Sequence, residues 1–119
     1  MSFRDAFPIL HTPDLEHAAA FYTERLGFEE RYRVPTEGPA AFVLLGLATF
    51  ELGFAQSSEV APAGRVAFWL YTDGVDERVA ALREAGVEVV REPEDMDWGE
   101  RMAIVLDPDG NQVCIGQRL

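Results

Sequence analysis

The feature that most constrains this chain is a pattern that occurs twice. AFPILHTPDLEHAAAFYTERLGF at 6–28 reads as a short strand running into a capped helix that stops at Gly27. RVAFWLYTDGVDERVAALREAGV at 65–87 repeats that order and stops at Gly86. In the first copy Thr12 is a candidate N-cap, and Pro13 suits a first-turn position because its missing N–H removes no helical bond. Leu15, Ala18, Ala19, Tyr22 and Leu26 recur at helical spacing and form an apolar stripe that needs a sheet to cover it. In the second copy Asp73 is the candidate N-cap; superposing the two glycines places Asp14 on Asp73. The coincidence of starts and stops indicates an internal duplication.

Neither half is long enough to bury a large core alone, whereas 119 residues suffice for one domain. The modules are expected at about 5–54 and 65–117, joined by a linker at 55–64 whose small residues, Pro62 and Gly64 favour a connection. In the first module strands are expected at 5–11, 28–34, 40–46 and 48–54 around a helix at 14–26. In the second, the strand at 65–72 and its helix precede a strand near 87–91, the polar loop EDMDWGE, the strand RMAIVLD and the strand NQVCIGQ. DPDG at 107–110 supplies the last turn, with Asp107 accepting local backbone hydrogen bonds and Gly110 relaxing the backbone. Each half is thus βαβββ, and the chain is α+β.

The formal charge of -11 opposes binding to nucleic acid or to an anionic membrane surface. It suits a small cationic ligand, but net charge does not identify a partner and an acidic surface also simply maintains solubility. The lone cysteine, Cys114, leaves no intrachain disulfide or Cys-rich zinc site. The stretch MSFRDAFP lacks a long hydrophobic export segment, and no apolar run approaches the roughly 20 residues that span a bilayer. A cytoplasmic protein is expected. Phosphate-binding glycine loops, HExxH and a serine nucleophile arrangement are absent from the sequence, and DPDG lacks the later ligands of a calcium loop.

These stretches together resemble the vicinal oxygen chelate superfamily, which includes glyoxalase, bleomycin-resistance and extradiol-dioxygenase-like proteins. TPDLEHAAAFYTERLGFEE resembles its first-module signature, FEL at 50–52 the end of that module, GVDERVAALREAGVEV the second helix and WGERMAIVLDPDGNQVCI the terminal hairpin. The resemblance implies two βαβββ modules forming a cup-shaped mixed sheet, and subunits that pair as homodimers. Metal-dependent members carry four ligands, and the matching positions here are Phe7, Glu51, Arg65 and Cys114. Only Glu51 matches the expected ligand type; Phe7 has no donor atom and Arg65 brings a permanent cation. No metal or other cofactor is therefore expected. His11 shares strand parity with Phe7 but lies four residues along, about 13 Å away, too far for a small shift of register to bring it in.

Strand parity directs Phe7, Ile9, Thr49, Glu51, Arg65, Ala67, Trp69, Gln112 and Cys114 into the cup, and Phe50, Leu52, Phe54, Val66, Phe68 and Leu70 towards the helices. With His11 as a further contact and Trp98 as a lid from its polar loop, the lining suits a flat organic molecule bearing a few polar groups. The function expected is metal-independent binding or sequestration of a small aromatic molecule, of the bleomycin-resistance type, with no catalytic residue assigned. Two alternatives stay open. One is an enzyme, either a lyase or dioxygenase with an unusual metal arrangement or a metal-free catalyst using Glu51 as base. The other is a structural or regulatory dimer in which a Glu51–Arg65 ion pair and Trp69 fill the cup, and Trp98 anchors its loop.

Overall fold

The computed structural model describes residues 6–58 and 66–119 and divides into two compact units, 1–61 and 62–119. In the first, β1 (Ile9–Thr12) leads into α1 (Leu15–Ala20), which continues as a π-helical turn over Phe21–Arg25. Then follow β2 (Glu29–Val34), β3 (Phe42–Leu47) and β4 (Phe50–Gln56). The sheet order is β1-β4-β3-β2, with β1 parallel to β4 and the other pairs antiparallel. In the second, β5 (Ala67–Tyr71), α2 (Val75–Glu84), β6 (Val89–Asp95), β7 (Glu100–Leu106) and β8 (Gln112–Arg118) build the same arrangement, β5-β8-β7-β6, again with one parallel pair, β5 and β8. Both units are βαβββ modules with a mixed sheet, as the duplicated pattern predicts.

The helix starts differ from the expectation. Asp14, not Thr12, is the N-cap of α1, and its carboxylate accepts from the His17 N–H at 3.2 Å. Pro13 therefore precedes the cap. In α2 the N-cap is Gly74, not Asp73, and no side chain caps it locally. Thr12 and Thr72 instead act one step earlier, their hydroxyls accepting from the N–H groups of Asp14 and Gly74. The first free helical N–H is satisfied from the sheet: Leu15 donates to Gln56 Oε1 at 2.9 Å and Val75 to Gln117 Oε1 at 3.0 Å. A glutamine near the end of each module's last strand thus fixes where its helix begins.

One residue more separates Asp14 from Gly27 than separates Gly74 from Gly86. The π-helical turn accommodates it, because an i→i+5 turn takes up an extra residue without changing where the helix ends. Gly27 and Gly86 both have positive φ, 82° and 87°, a conformation that L side chains resist.

Each helix covers one face of its own sheet. Leu15, Ala18, Ala19, Phe21 and Tyr22 are buried with Val43, Leu45, Leu52 and Phe54, and the Tyr22 and Phe54 rings lie 5.1 Å apart. Phe50 keeps the expected side, its ring edge-on to the buried Phe28, which in turn packs on Tyr22, but at the start of β4 it stays partly exposed. In the second module Val75, Val79 and Leu82 are buried with Ala103, Val105, Val113 and Ile115. The expected linker begins later than predicted, since Ala55 and Gln56 belong to β4 and the Ser57 N–H donates to the Thr12 carbonyl. Its residues 59–64, like Arg65, lie outside the described residues. β6 runs on through Pro93 to Asp95, further than expected; it is an edge strand with two register shifts, where a proline removes no required bond. The terminal turn is as expected: Asp107 Oδ1 accepts from the N–H groups of Asp109 and Asn111, and Gly110 has φ 85°.

Candidate ligand-binding face

The face of the second module turned away from α2 carries the most distinctive chemistry. Along β5, Ala67, Trp69 and Tyr71 are exposed while Phe68 and Leu70 are half-buried, the alternation of a strand covered on one side. Trp69 is opposite Cys114 in the parallel β5–β8 pair, and its indole lies across Gly116, where an added Cβ would meet Nε1 at 2.6 Å. The glycine lets the ring lie close to the sheet. The Tyr71 ring is 6.1 Å from that of Trp69 and inclined at 55° to it.

Beyond Tyr71 the aromatic surface meets a fixed charge. The Tyr71 hydroxyl donates to Glu100 Oε2 at 2.8 Å, and the Trp98 indole N–H donates to Oε1 at 2.9 Å. Each carboxylate oxygen is thereby oriented by an aromatic donor. The hydrogen bond from Tyr71, then that from Trp98, and the nearby Arg118 charge hold the Glu100 carboxyl below the ordinary glutamate value, against partial desolvation. The same bond, with desolvation and the Glu100 charge, raises the Tyr71 phenol, so Tyr71 stays protonated and donating at neutral pH. The Arg118 guanidinium carbon lies 3.8 Å from the Tyr71 ring centroid. Trp69, Tyr71 and Trp98 are 39, 48 and 59 % exposed, so this aromatic surface is open to a ligand.

Gln112 and Cys114 follow one another on the same face of β8, opposite Ala67 and Trp69. Cys114 is buried, and desolvation pushes its thiol up, which makes it a poor nucleophile. Trp98 does not stand free as a lid. Its turn is held by the Met96 N–H donating to the Glu100 carbonyl at 2.7 Å, and its indole is tied to the Glu100 side chain.

In the first module Phe7 lies beside Phe42 and Ile9 beside Gly53. Phe7 is 6.5 Å from the Phe42 ring, and that ring and Ile9 both approach Gly53 closely enough that a Cβ there would strike them. His11 is exposed two residues further along β1, opposite Ala55. Thr49 is exposed in the β3–β4 turn. Glu51 has a partner within its own module, since Arg31 Nη1 contacts its Oε2 at 3.3 Å; the expected partner, Arg65, lies outside the described residues. Arg31 reaches it through a β-bulge: Glu30 and Tyr32 pair with consecutive residues of β3, and Arg31 is left unpaired between them. Its guanidinium then lies over Gly46 and donates to the Ala48 carbonyl at 2.8 Å.

The family's metal set does not fit these residues. Phe7 offers no donor atom, Glu51 is paired with a guanidinium, and Cys114 supplies a thiol where the family pattern has a carboxylate. The fourth position, Arg65, lies outside the described residues. Among the described residues no group of three or more His, Cys, Asp or Glu side chains is placed to hold a metal ion.

Strand parity alone could have identified Tyr71, two residues beyond Trp69. Glu100 was hidden by assigning it to a loop, although it opens β7. Arg118 and Arg31 depend on register and on a bulge, which no local pattern signals.

Comparison with known proteins agrees with this architecture. The family model of the Glyoxalase/Bleomycin resistance protein/Dioxygenase superfamily matches residues 7–115. Curated proteins give no significant match. Among solved structures, TioX from Micromonospora sp. ML1 superposes with a TM-score of 0.81 at 22% identity, covering 98% of this chain and 100% of that one. A superfamily member from Sphaerobacter thermophilus gives 0.76 at 26% identity, with 98% of each chain covered. The bleomycin resistance determinant encoded on the transposon Tn5 gives 0.72 at 28% identity, also with 98% of each covered. With the duplicated βαβββ module in both sequence and structure and a family match over nearly its whole length, the chain belongs to the Glyoxalase/Bleomycin resistance protein/Dioxygenase superfamily.

Proposed function

We propose that the protein binds and sequesters a small, planar organic molecule without metal and without transforming it. The observation that carries this is the exposed row Trp69, Tyr71 and Trp98 around one oriented carboxylate, Glu100. Aromatic rings offer a flat ligand a large contact area at low conformational cost, and offset or edge-on ring pairs contribute about 0.5–1.5 kcal/mol beyond the area buried. The carboxylate sets orientation and favours a ligand with a positive or hydrogen-bond-donating group. A chain charge of -11 draws such a ligand in. The likeness to the Tn5 bleomycin resistance determinant supports a role in protection against an aromatic antibiotic.

Catalysis is the weaker reading because the carboxylates at hand are engaged: Glu51 with Arg31, Glu100 with two aromatic donors. The family resemblance adds the expectation of a homodimer, which sedimentation equilibrium at micromolar concentration decides; the lone cysteine suits a reducing cytoplasm. The function is tested by tryptophan-fluorescence titration with planar cationic antibiotics, followed by mass analysis of the recovered compound. Saturable quenching with the compound unchanged supports sequestration; a chemically altered product overturns it.

A further inference from the structure

Resting on that reading, we propose that the Tyr71 ring face beside Glu100 is a subsite for an organic cation, an ammonium or guanidinium, and that Arg118 is its resident competitor. Three observations on one surface carry this. A guanidinium already occupies the ring face, 3.8 Å from the centroid. A carboxylate stands at the edge of the same ring, oriented by the Tyr71 hydroxyl and the Trp98 indole. Arg118 is opposite Glu100 in the β7–β8 register, which places its side chain beside the subsite.

A ring face and an adjacent carboxylate are the two features that stabilise a cation without stripping it of all its water. The chain's own arginine shows that the geometry accepts one. Arg118 is exposed and its stem is flexible, so an incoming cation can displace it at small cost. Trp98 stands beside the same carboxylate, its indole donating to Glu100 Oε1 at 2.9 Å, so its resonance reports what happens at the subsite. Arg118 therefore lowers affinity for cationic ligands while leaving neutral aromatic ones to bind on Trp69.

The test compares phenyltrimethylammonium with its neutral isostere tert-butylbenzene on the full chain. The indole N–H resonances of Trp69 and Trp98 report binding. Arg118→Ala is expected to tighten phenyltrimethylammonium about three- to fivefold relative to tert-butylbenzene, the size of an exposed cation–π contact. Arg118→Met, which keeps the stem, is expected to do the same and replaces the alanine variant if that one does not fold. Glu100→Gln is expected to weaken the cationic probe selectively. Arg78→Ala removes one positive charge from the exposed surface of α2 and is expected to leave the ratio of the two affinities unchanged. If tert-butylbenzene binds but neither Arg118 variant changes the ratio, the competitor role is overturned and the sequestration reading stands. If Arg78→Ala matches Arg118→Ala, general charge explains the effect and the proposal likewise falls. If neither probe moves either indole resonance in any variant, both fall.

Discussion

Tyr71 and Glu100, twenty-nine residues apart, are joined by a 2.8 Å hydrogen bond that takes one carboxylate oxygen and leaves the other to the Trp98 indole. This bond connects the first strand of the second module to its third and converts an exposed glutamate into an oriented anion. Its chemistry sets the pH behaviour of the site. The folded-state pKa of Glu100 lies below its unfolded value, so the folded chain holds this proton less tightly than the unfolded one. The stabilisation is therefore fully present above the ordinary glutamate range and is lost as the pH falls through the depressed folded value. Following the Trp98 indole N–H resonance against pH checks this: its titration midpoint is expected below that of an unperturbed glutamate, and Glu100→Gln is expected to abolish the transition.

Gly116 holds Trp69 against the sheet, and an added methyl there would meet the indole at 2.6–2.9 Å. Gly116→Ala is expected to push the ring outward and to destabilise by about 1–3 kcal/mol, as overpacking commonly does. Urea denaturation gives the stability change. The displaced indole is expected to shift the tryptophan emission and weaken aromatic ligands more than Phe54→Tyr, a change on the covered side of the first sheet, does.

Much of this architecture is written locally. Gly27, Gly86 and the Asp107–Gly110 turn are found where punctuation by glycine and aspartate places them, because positive φ and short-range hydrogen bonds are properties of a few neighbouring residues. The helix starts were misplaced by one or two residues because Gln56 and Gln117, some forty residues downstream, supply the acceptors, and no local pattern contains them. Trp69 was legible as a face residue from strand alternation. The Arg31–Glu51 pair was not, because it depends on a bulge at Arg31 that simple strand alternation does not contain.

Those two glutamines carry a matched prediction. Gln56→Ala and Gln117→Ala each leave a helix-initiating N–H without its acceptor, and each is expected to cost about 1 kcal/mol, the usual value of a lost cap. Chemical denaturation measures both. Gln56 is expected to cost more, because its amide also donates to the Pro13 carbonyl.

The donor set also predicts metal content. With Phe7 lacking a ligand atom, Glu51 paired with Arg31 and no cluster of three donor side chains among the described residues, protein purified without chelator is expected to contain no stoichiometric Zn, Ni, Fe or Mn. Elemental analysis decides this, and one tightly held ion per chain would redirect the assignment towards a lyase or dioxygenase.

The central claim is that the aromatic face of the second module holds a small molecule. The most direct measurement is fluorescence titration of the wild type and Trp69→Ala with planar cationic antibiotics, reading the remaining Trp98 in the variant. Saturable quenching of the wild type, about three- to tenfold weaker binding to the variant and recovery of the compound unchanged are expected. Quenching in which Trp69→Ala retains full affinity, or no quenching by any compound in the panel, would contradict the claim.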